Sequence, residues 1–443
     1  MAQKERADAI VIGSGIGGMC AAARLTALGM KVIILEKSSY PGGRCSHRLR
    51  QDCRVTTGAL MIPMGPDSAI RQDIDEVCAQ MDMIDITGRM RYLLDHGDYY
   101  MPPGGGGLQG MIEFAMQDES RARQLFQHIR DALFHWMPLD TISTRDWFDQ
   151  YTDNHEVKNL FQGYCAALMG TNLHEIPAGE FFRFLKYSSK GSRFGLARLG
   201  NGDLMESLAK AMARHGTELR CHSGCKQILV DQGRVRGVVL SDEAGVEREI
   251  EAGLVVSNAG PDQTLALAGG ESEFERSYVA RLRSNAADAP IFHLSFVMDR
   301  PLLDDFDGCL VFGNNRNLIY LEIPSAISPG TISPEGTFLH TAYGAPADAA
   351  NADLVGDLAN TRAELEKNFP GMTEQANFLV KARHSGAFPG MRRWAGYGMP
   401  VDTPIAGLYN VGDGCIPPGT IGTEGAAASA REAVQLISDR VAI

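Results

Sequence analysis

Ala9-Ile10-Val11-Ile12-Gly13-Ser14-Gly15-Ile16-Gly17-Gly18, then an Ala-rich run to Leu28, then Val32-Ile33-Ile34-Leu35 and Glu36, is the stretch that decides the fold. It reads as strand, glycine turn, helix, strand and acid. Gly13 permits the tight turn, Gly15 lets the backbone approach a pyrophosphate, and Gly18 lets the helix pack closely on the strand. Ser14, Ile16 and Gly17 complete the turn, and the helix N-terminus offers unpaired N–H groups and partial positive charge to phosphates. Glu36 stands about where the ~20-residue spacing of the dinucleotide fingerprint expects an acid. A carboxylate there bonds both ribose hydroxyls and repels a 2′-phosphate. The flanking strand and helix supply the context that a bare G-x-G-x-x-G lacks.

The 443 residues are two or three domains' worth of chain. A net charge of −12, with no basic tract, argues against nucleic acid as a partner. The nine cysteines are scattered without a C-x-x-C, which fits a reducing cytoplasm better than a disulfide framework. Cys221-His222 with Cys225 has no second ligand pair at zinc-finger spacing, so no metal is expected. The polar Met1–Asp8 leads straight into the first strand, unlike a signal peptide. No run approaches the ~20 apolar residues that span a bilayer. The expectation is a cytoplasmic protein without an integral membrane segment, with peripheral membrane contact left open.

Further along, Val55–Pro63 reads as an extended piece, Ser68–Met83 as helical, and Tyr92–Met101 as a hairpin turning at His96-Gly97. Pro102-Pro103 and Gly104 to Gly107 read as a linker, since no Gly-Lys-Ser/Thr follows to make a phosphate loop. Gln109 to Met212 is mostly helical by pattern (Ser120–Trp136, Thr144–Tyr151, Glu156–Leu168, Pro177–Tyr187) and resembles a module inserted in an α/β protein. Short strands between Leu219 and Val256, with turns at Asp231-Gln232-Gly233 and Asp242–Gly245, read as a hairpin meander. The last of them stops at Ser257-Asn258-Ala259-Gly260-Pro261, at the sheet edge where α/β folds bind ligands. Glu271–Arg283 and Ala352–Phe369 read as helices, and Asn317–Ile323 and Thr337–Thr341 as strands. Pro290–Met298 alternates, with Phe292, Leu294, Phe296 and Met298 on one face and His293 and Ser295 on the other, the latter expected to meet water slightly sooner than a cavity. The end repeats the opening pattern: strand, Gly412-Asp413, a glycine turn through Gly422-Thr423-Glu424-Gly425, and a small-residue helix.

The fingerprint, Glu36, Gly42-Gly43-Arg44, the Val255–Pro261 strand end, Gly412-Asp413 and Gly422-Thr423-Glu424-Gly425-Ala426 occur in one order. In that order the chain resembles, over essentially its whole length, the FAD-dependent phytoene desaturase, carotenoid isomerase and amine oxidase superfamily, closest to its phytoene desaturase-like branch. The resemblance implies an α/β fold with a Rossmann-like FAD-binding domain (a parallel sheet with helices and a hairpin meander) and an interleaved α+β substrate domain. The FAD-binding domain would comprise residues 1–67, 200–265 and 400–443, and the substrate domain 68–199 and 266–399. FAD would then meet Gly13, Ser14, Gly15, Ile16, Gly17, Gly18, Glu36, Lys37, Gly43, Arg44, Asn258, Gly412, Asp413, Gly422 and Thr423. Arg44 would neutralise the pyrophosphate or sit over the isoalloxazine, Asp413 would bond ribityl or phosphate oxygens, and the helix at Thr423 would direct N–H groups to the flavin. Cys225 would give backbone contacts to adenine, and Gly58, Ala59 and Leu60 would pass beside the flavin. Thr57 departs from the family pattern, which usually has an acid there.

The resemblance implies hydride transfer at a carbon–carbon bond of an apolar, isoprenoid- or polyene-like substrate, as desaturation, saturation or isomerisation. Amine oxidation at a C–N bond is the alternative. A flavin-free prenyl-binding protein resembling GDP-dissociation inhibitors is a remote third, disfavoured by the intact Arg44 and Asp413. Amine oxidases present an aromatic residue just before the final helix, where this chain has Gly422. Trp394 and Tyr397 are therefore the candidate rings, with ordinary packing as their equal alternative. His293 and His384 are candidate proton donors, and Glu424 is already accounted for by the helix dipole. Only one complete dinucleotide fingerprint is present, so no dedicated NAD(P) site is expected, and O₂, a quinone or a redox protein would exchange electrons with the flavin.

Overall fold

The computed structural model describes residues 5–102, 107–135, 138–188, 193–284, 288–304, 306 and 308–441. Pro103, Gly104, Gly105, Gly106 and Trp136, named above, lie outside the described residues, as do Met1 to Lys4.

Five parallel strands form one sheet, in the order Glu218–Arg220, Val32–Leu35, Ala9–Ile12, Val255–Ser257 and Leu408–Asn410. The middle strands are continuous apolar runs buried on both faces, as a covered parallel sheet requires. Helices Ile16–Ala27 and Gly422–Val441 pack on one another through small side chains, among them Ala22, Ala23, Ala427 and Ala430, all fully buried. The two ends of the chain thus share one core. A meander of Gly224–Asp231, Arg234–Ser241 and Glu247–Glu251 forms a second sheet, with turns where the sequence places them.

A seven-stranded sheet faces this unit, in the order Asn377–His384, Ile291–Met298, Phe338–Gly344, Leu318–Glu322, Cys309–Phe312, Met90–Leu94 and Gly97–Tyr100. Its two faces differ because side chains alternate along each strand. Leu294, Phe296, Leu310, Phe312, Leu321 and Ala342 pack with Leu365 of helix Leu354–Asn368. The opposite face carries Tyr320, Glu322, Thr341, Tyr343, His293 and Ser295. The expectation that His293 and Ser295 meet water is overturned: they are 1% and 0% exposed, because this polar face is buried in the molecule. Helices Gly107–Met116, Glu119–Phe134, Thr144–Asp149, His155–Met169 and Ala178–Ser188 form the predicted helical block.

Several elements differ from the sequence reading. Ser68–Met83 is not one helix: the helix is Ala69–Glu76, Cys78 takes a left-handed φ of 52°, and Met83–Asp85 is a strand. That strand pairs with Phe194–Ala197, which also pairs with Met61–Pro63. Glu271–Arg283 divides into a 3₁₀ turn at Glu271–Glu273 and a helix at Arg276–Ser284, with Phe274 extended between them. A hairpin of His47–Arg50 and Cys53–Thr56 turns at Gln51 and Asp52, whose φ values of 46° and 61° ordinarily call for Asn or Gly.

Candidate active site

The glycine turn is built by close approach. A side chain on Gly17 would put its Cβ 2.6 Å from the backbone nitrogen of Gly412, and one on Gly15 would stand 2.6 Å from Asn258 Nδ2. Gly412 N in turn donates to Ser429 Oγ at 2.8 Å, fixing the final helix to the turn before it. Glu36 is buried: its Oε2 accepts from Ser14 N at 2.9 Å and Ser14 Oγ at 2.6 Å, and its Oε1 from Ser38 N at 2.8 Å. Lys37 and the Cys225 strand meet beside it, since Ser223 N donates to Glu36 O and a Cβ on Gly224 would touch Lys37. Burial pushes the Cys225 thiol up to about 12, which keeps it protonated near neutral pH.

Arg44 and Asp413 join the second glycine turn to the C-terminal one. Arg44 Nη2 donates to Asp413 Oδ1 at 2.6 Å, and Nη1 donates to the carbonyls of Pro389 and Gly390 at 2.9 and 2.5 Å. Arg392 N donates to Asp413 Oδ2 at 2.8 Å. Burial alone would raise the Asp413 carboxyl, but the charges of Arg44 and Arg392 prevail and hold it below the usual carboxylate range. Thr57 takes a different part from the family's acid: its Oγ1 donates to Gly43 O at 2.8 Å and accepts from Ser46 N at 3.1 Å, bracing the loop that carries Arg44.

Between the parallel-sheet unit and the seven-stranded sheet lies a cavity of about 630 Å³. One flank is Gly15, Ile16, Gly17, Gly42, Arg44, Gly58, Ala59, Leu60, Asn258, Gly412, Asp413, Gly422 and Thr423, so most of the predicted cofactor shell converges on one space. The other flank is largely apolar and aromatic, with Ala166, Leu168, Phe184, Ile291, Tyr320 and Tyr343. Tyr320 and Tyr343 stack with centroids 4.4 Å apart, and Tyr343 OH donates to Gly58 O at 2.6 Å. At another end Tyr187 OH donates to Glu424 Oε1 at 2.7 Å. Glu424 does more than meet its own helix dipole: it also accepts from Ser68 Oγ and Ala69 N, both at 2.8 Å, capping helix Ala69–Glu76.

Gly13, Ser14, Gly18 and Gly43 support this flank without lining the cavity, and Glu36, Lys37 and Cys225 lie together away from it. The predicted catalytic side chains do not converge on it. Trp394 lines a small pocket that adjoins the cavity at Met391, Asp413 and Ile421, its Nε1 donating to Asp288 O at 3.0 Å, and Tyr397 packs edge-on against Trp394. His293 stacks behind Tyr343 at 5.3 Å, and His384 reaches the cavity wall. Burial, and then the neighbouring His384, lowers His293 to about 3; burial, and then Arg44, lowers His384 to about 4. Both imidazoles are therefore neutral near pH 7 and hold no cationic proton to give. Tyr320 and Tyr343 are cavity residues that sequence reasoning missed, while Phe184 and Tyr187 are the aromatics of the helical block that reach the cavity. The i, i+2 pattern around Tyr320 is interrupted by a bulge after Leu318, which hid the face it serves. All nine cysteines are free thiols. Among the described residues no helix is long and apolar enough to cross a membrane.

Comparison with known proteins agrees with this geometry. The chain is 25% identical to a chloroplastic prolycopene isomerase of Daucus carota, over 93% of this chain and 77% of that protein. It is 28% identical to a phytoene desaturase of Fusarium fujikuroi over 56% of its own length, spanning only about half (48%) of that desaturase. An oxidoreductase of Methanosarcina mazei shares the fold with a TM-score of 0.84 at 20% identity, covering 96% of this chain and 99% of that one. The model of the flavin-containing amine oxidoreductase family matches residues 16–438, and the chain is a member of that family of flavin-dependent oxidoreductases.

Proposed function

We propose that the protein binds FAD and adds, removes or relocates hydrogen at a carbon–carbon bond of an apolar, polyene- or isoprenoid-like substrate. The observation that carries this reading is the two-sided cavity, with a glycine backbone cradle on one flank and apolar and aromatic side chains on the other. The arginines that reach it are neutralised, Arg44 by Asp413 and Arg193 by Asp85. A cradle that Cβ atoms on Gly15 and Gly17 would fill suits a dinucleotide.

In this reading the N–H groups after Gly13 hold the pyrophosphate, and the remaining acceptor site on Glu36 Oε1 meets the ribose. Lys37 and the Cys225 backbone flank the adenosine end. Arg44 and Asp413 bind the middle of the cofactor, and the N–H groups at Gly422 and Thr423 face its flavin end. Bound FAD supplies hydride transfer. The chain supplies orientation, and residues 68–199 and 266–399 shape the substrate side and exclude water. Oxidation at a C–N bond is the second reading. It is favoured by the family's membership and by the stacked Tyr320–Tyr343 wall, able to flank an amine. We place the protein in the cytoplasm, with O₂, a quinone or a redox protein as its electron partner.

The test is identification of the nucleotide released on denaturation, followed by anaerobic spectral titration with polyenes, enones and amines. FAD that is bleached, or reoxidised, by the carbon–carbon panel is the expected result. Bleaching by amines alone would transfer the assignment to C–N oxidation. A colourless protein that FAD cannot reconstitute would overturn the reading.

A further inference from the structure

The hairpin of Met90–Leu94 and Gly97–Tyr100 turns at Asp95-His96, and helix His155–Met169 opens on His155-Glu156. The two pairs lie far apart in the sequence, so no ligand spacing announces them. The fold brings them together at the edge hairpin of the seven-stranded sheet, and none of the four residues lines the cavity. One ligand-forming atom from each of Asp95, His155 and Glu156 lies within 4.8 Å of the other two. His155 Nε2 stands 3.8 Å from Glu156 Oε1, and His96 Nδ1 stands 3.5 Å from Glu156 Oε2. Ligands around a tetrahedral zinc, with bonds of about 2.0–2.1 Å, are about 3.3 Å apart. Asp95 and His155 are exposed and free to rotate into that spacing.

An acid in the first turn of a helix is ordinarily accounted for by the helix dipole. That does not account for the surroundings of Glu156, which is 8% exposed and whose buried Oε2 has no hydrogen-bond partner. A buried polar group without a partner calls for a reason. His96 points to one. Its Nε2 lies 2.9 Å from the carbonyl of Phe114, and a carbonyl only accepts, so Nε2 carries the ring proton. The neutral imidazole therefore turns the Nδ1 lone pair toward Glu156 Oε2. The Phe114 ring, its centroid 4.7 Å away, holds the imidazole in that orientation. Two lone pairs facing each other across 3.5 Å are held together by a cation or by a proton on Nδ1.

We propose that Asp95, His155 and Glu156 bind a divalent transition cation, zinc by the chemistry of the set, with His96 Nδ1 as the fourth ligand. Two carboxylates balance its charge, and two imidazoles select a transition metal over Ca²⁺ or Mg²⁺, which prefer oxygen shells. The Phe114 carbonyl fixes the ligating tautomer of His96, the usual outer-shell part. Four protein ligands make a closed, structural site. The cation ties the turn of the edge hairpin to the first turn of the helix whose far end carries Ala166 and Leu168 into the cavity wall. The site stands whichever reaction the cavity performs.

The test uses untagged flavoprotein, dialysed against a chelator and titrated calorimetrically with Zn²⁺, Ca²⁺ and Mg²⁺. One Zn²⁺ per chain is expected, at micromolar concentration or below, with a raised unfolding midpoint at saturation. His155→Ala and Asp95→Asn change exposed side chains and leave the core intact, and each should weaken binding about tenfold or more. His96→Ala should do the same, and Glu156→Gln should abolish binding. Zn²⁺ binding that is unchanged in both His155→Ala and Asp95→Asn would overturn the site, as would preference for Ca²⁺ or Mg²⁺. No uptake of Zn²⁺ would also overturn it, and would leave His96 and Glu156 as an imidazolium–carboxylate pair joined by a proton.

Discussion

The two flanks of the cavity are built on opposite economies of side chain. The glycine flank works by having none: Gly15, Gly17, Gly58 and Gly412 let backbones approach one another so that N–H groups and carbonyls become the surface. The sheet flank works by side chains: Tyr320, Tyr343 and His384 stand on its wall with His293 stacked behind, a row across four strands with successive ring centroids 4.4, 5.3 and 5.9 Å apart. A backbone surface suits what hardly varies between relatives, a cofactor. A side-chain surface suits what a particular chain must select. The comparison predicts that substitutions on the glycine flank act on cofactor retention and folding, and that those on the sheet flank act on turnover and pH dependence.

The largest effect is expected at Gly17. A Val there places Cβ against Gly412 N and Gly412 Cα, both backbone atoms that cannot yield without moving the C-terminal turn. Overpacking of this kind costs about 1–3 kcal/mol even where neighbours can shift. Here it also separates the two chain ends that form the cradle. Gly17→Val should lose bound flavin altogether, read as the ratio of visible to 280 nm absorbance after desalting. A variant that retains the wild-type ratio would break the comparison at its root.

Arg44→Met comes next. It leaves the Asp413 carboxylate buried without its principal partner, a change that typically costs about 3–5 kcal/mol. Denaturant unfolding of the apoprotein separates this loss from flavin affinity. The double variant Arg44→Met, Asp413→Asn should recover part of the stability but not the flavin, because the charge imbalance is relieved while the cofactor contact is gone.

What was legible in the sequence follows the same division. The glycine flank could be read because each of its requirements is local: a tight turn, a close approach or a helix start selects one residue type at one position. Glu36 follows from the spacing of the fingerprint, Asp413 from the family resemblance, and the parallel sheet from strands that are apolar runs such as Val32–Leu35. The sheet flank could not be read because its residues acquire meaning only through strand order. Tyr343 matters because Phe338–Gly344 lies between Ile291–Met298 and Leu318–Glu322, and nothing in the sequence around Tyr343 states that. His293 was singled out as a chemically versatile residue, yet register placed it behind Tyr343 and burial removed its charge. Trp394 and Tyr397 are candidates only by ring type near the C-terminal turn, and a loop of that length can direct rings to either side of the seam.

The pH dependence of stability tests the sheet flank as a whole. Glu322 has an ordinary carboxyl value of 4.5 when unfolded and about 8 when folded, so between those limits the unfolded chain releases a proton that the native chain keeps. Its contribution therefore falls as pH rises through that window and is level above it. Glu322→Gln should remove the decline and stabilise the protein at pH 8 by about 2–4 kcal/mol. His293 and His384 act at the other limit. Their values fall from 6.5 to about 3 and 4, so the unfolded chain gains protons first and stability is lost as pH drops below 6.5. Thermal unfolding between pH 4 and 9 should show both slopes in the wild type and only the acid one in Glu322→Gln. An alkaline slope that survives the substitution would place the buried charge elsewhere.

The smallest effects are expected where the sequence placed catalysis. Tyr397 and Trp394 meet each other at 6.3 Å, Trp394 lines a small pocket that shares Met391, Asp413 and Ile421 with the main cavity, and neither ring lines the main cavity itself. Tyr397→Phe removes one hydroxyl and keeps the ring, and flavin reduction by any active substrate should stay within about twofold of wild type, under 0.5 kcal/mol of barrier. Trp394→Phe also loses the Nε1 bond to Asp288 O, a net cost of about 1 kcal/mol that should appear in unfolding and not in turnover. A tenfold loss of reduction rate in Tyr397→Phe, with stability intact, would bring this loop into the reaction and erase the separation between the selecting flank and the packing seam behind it.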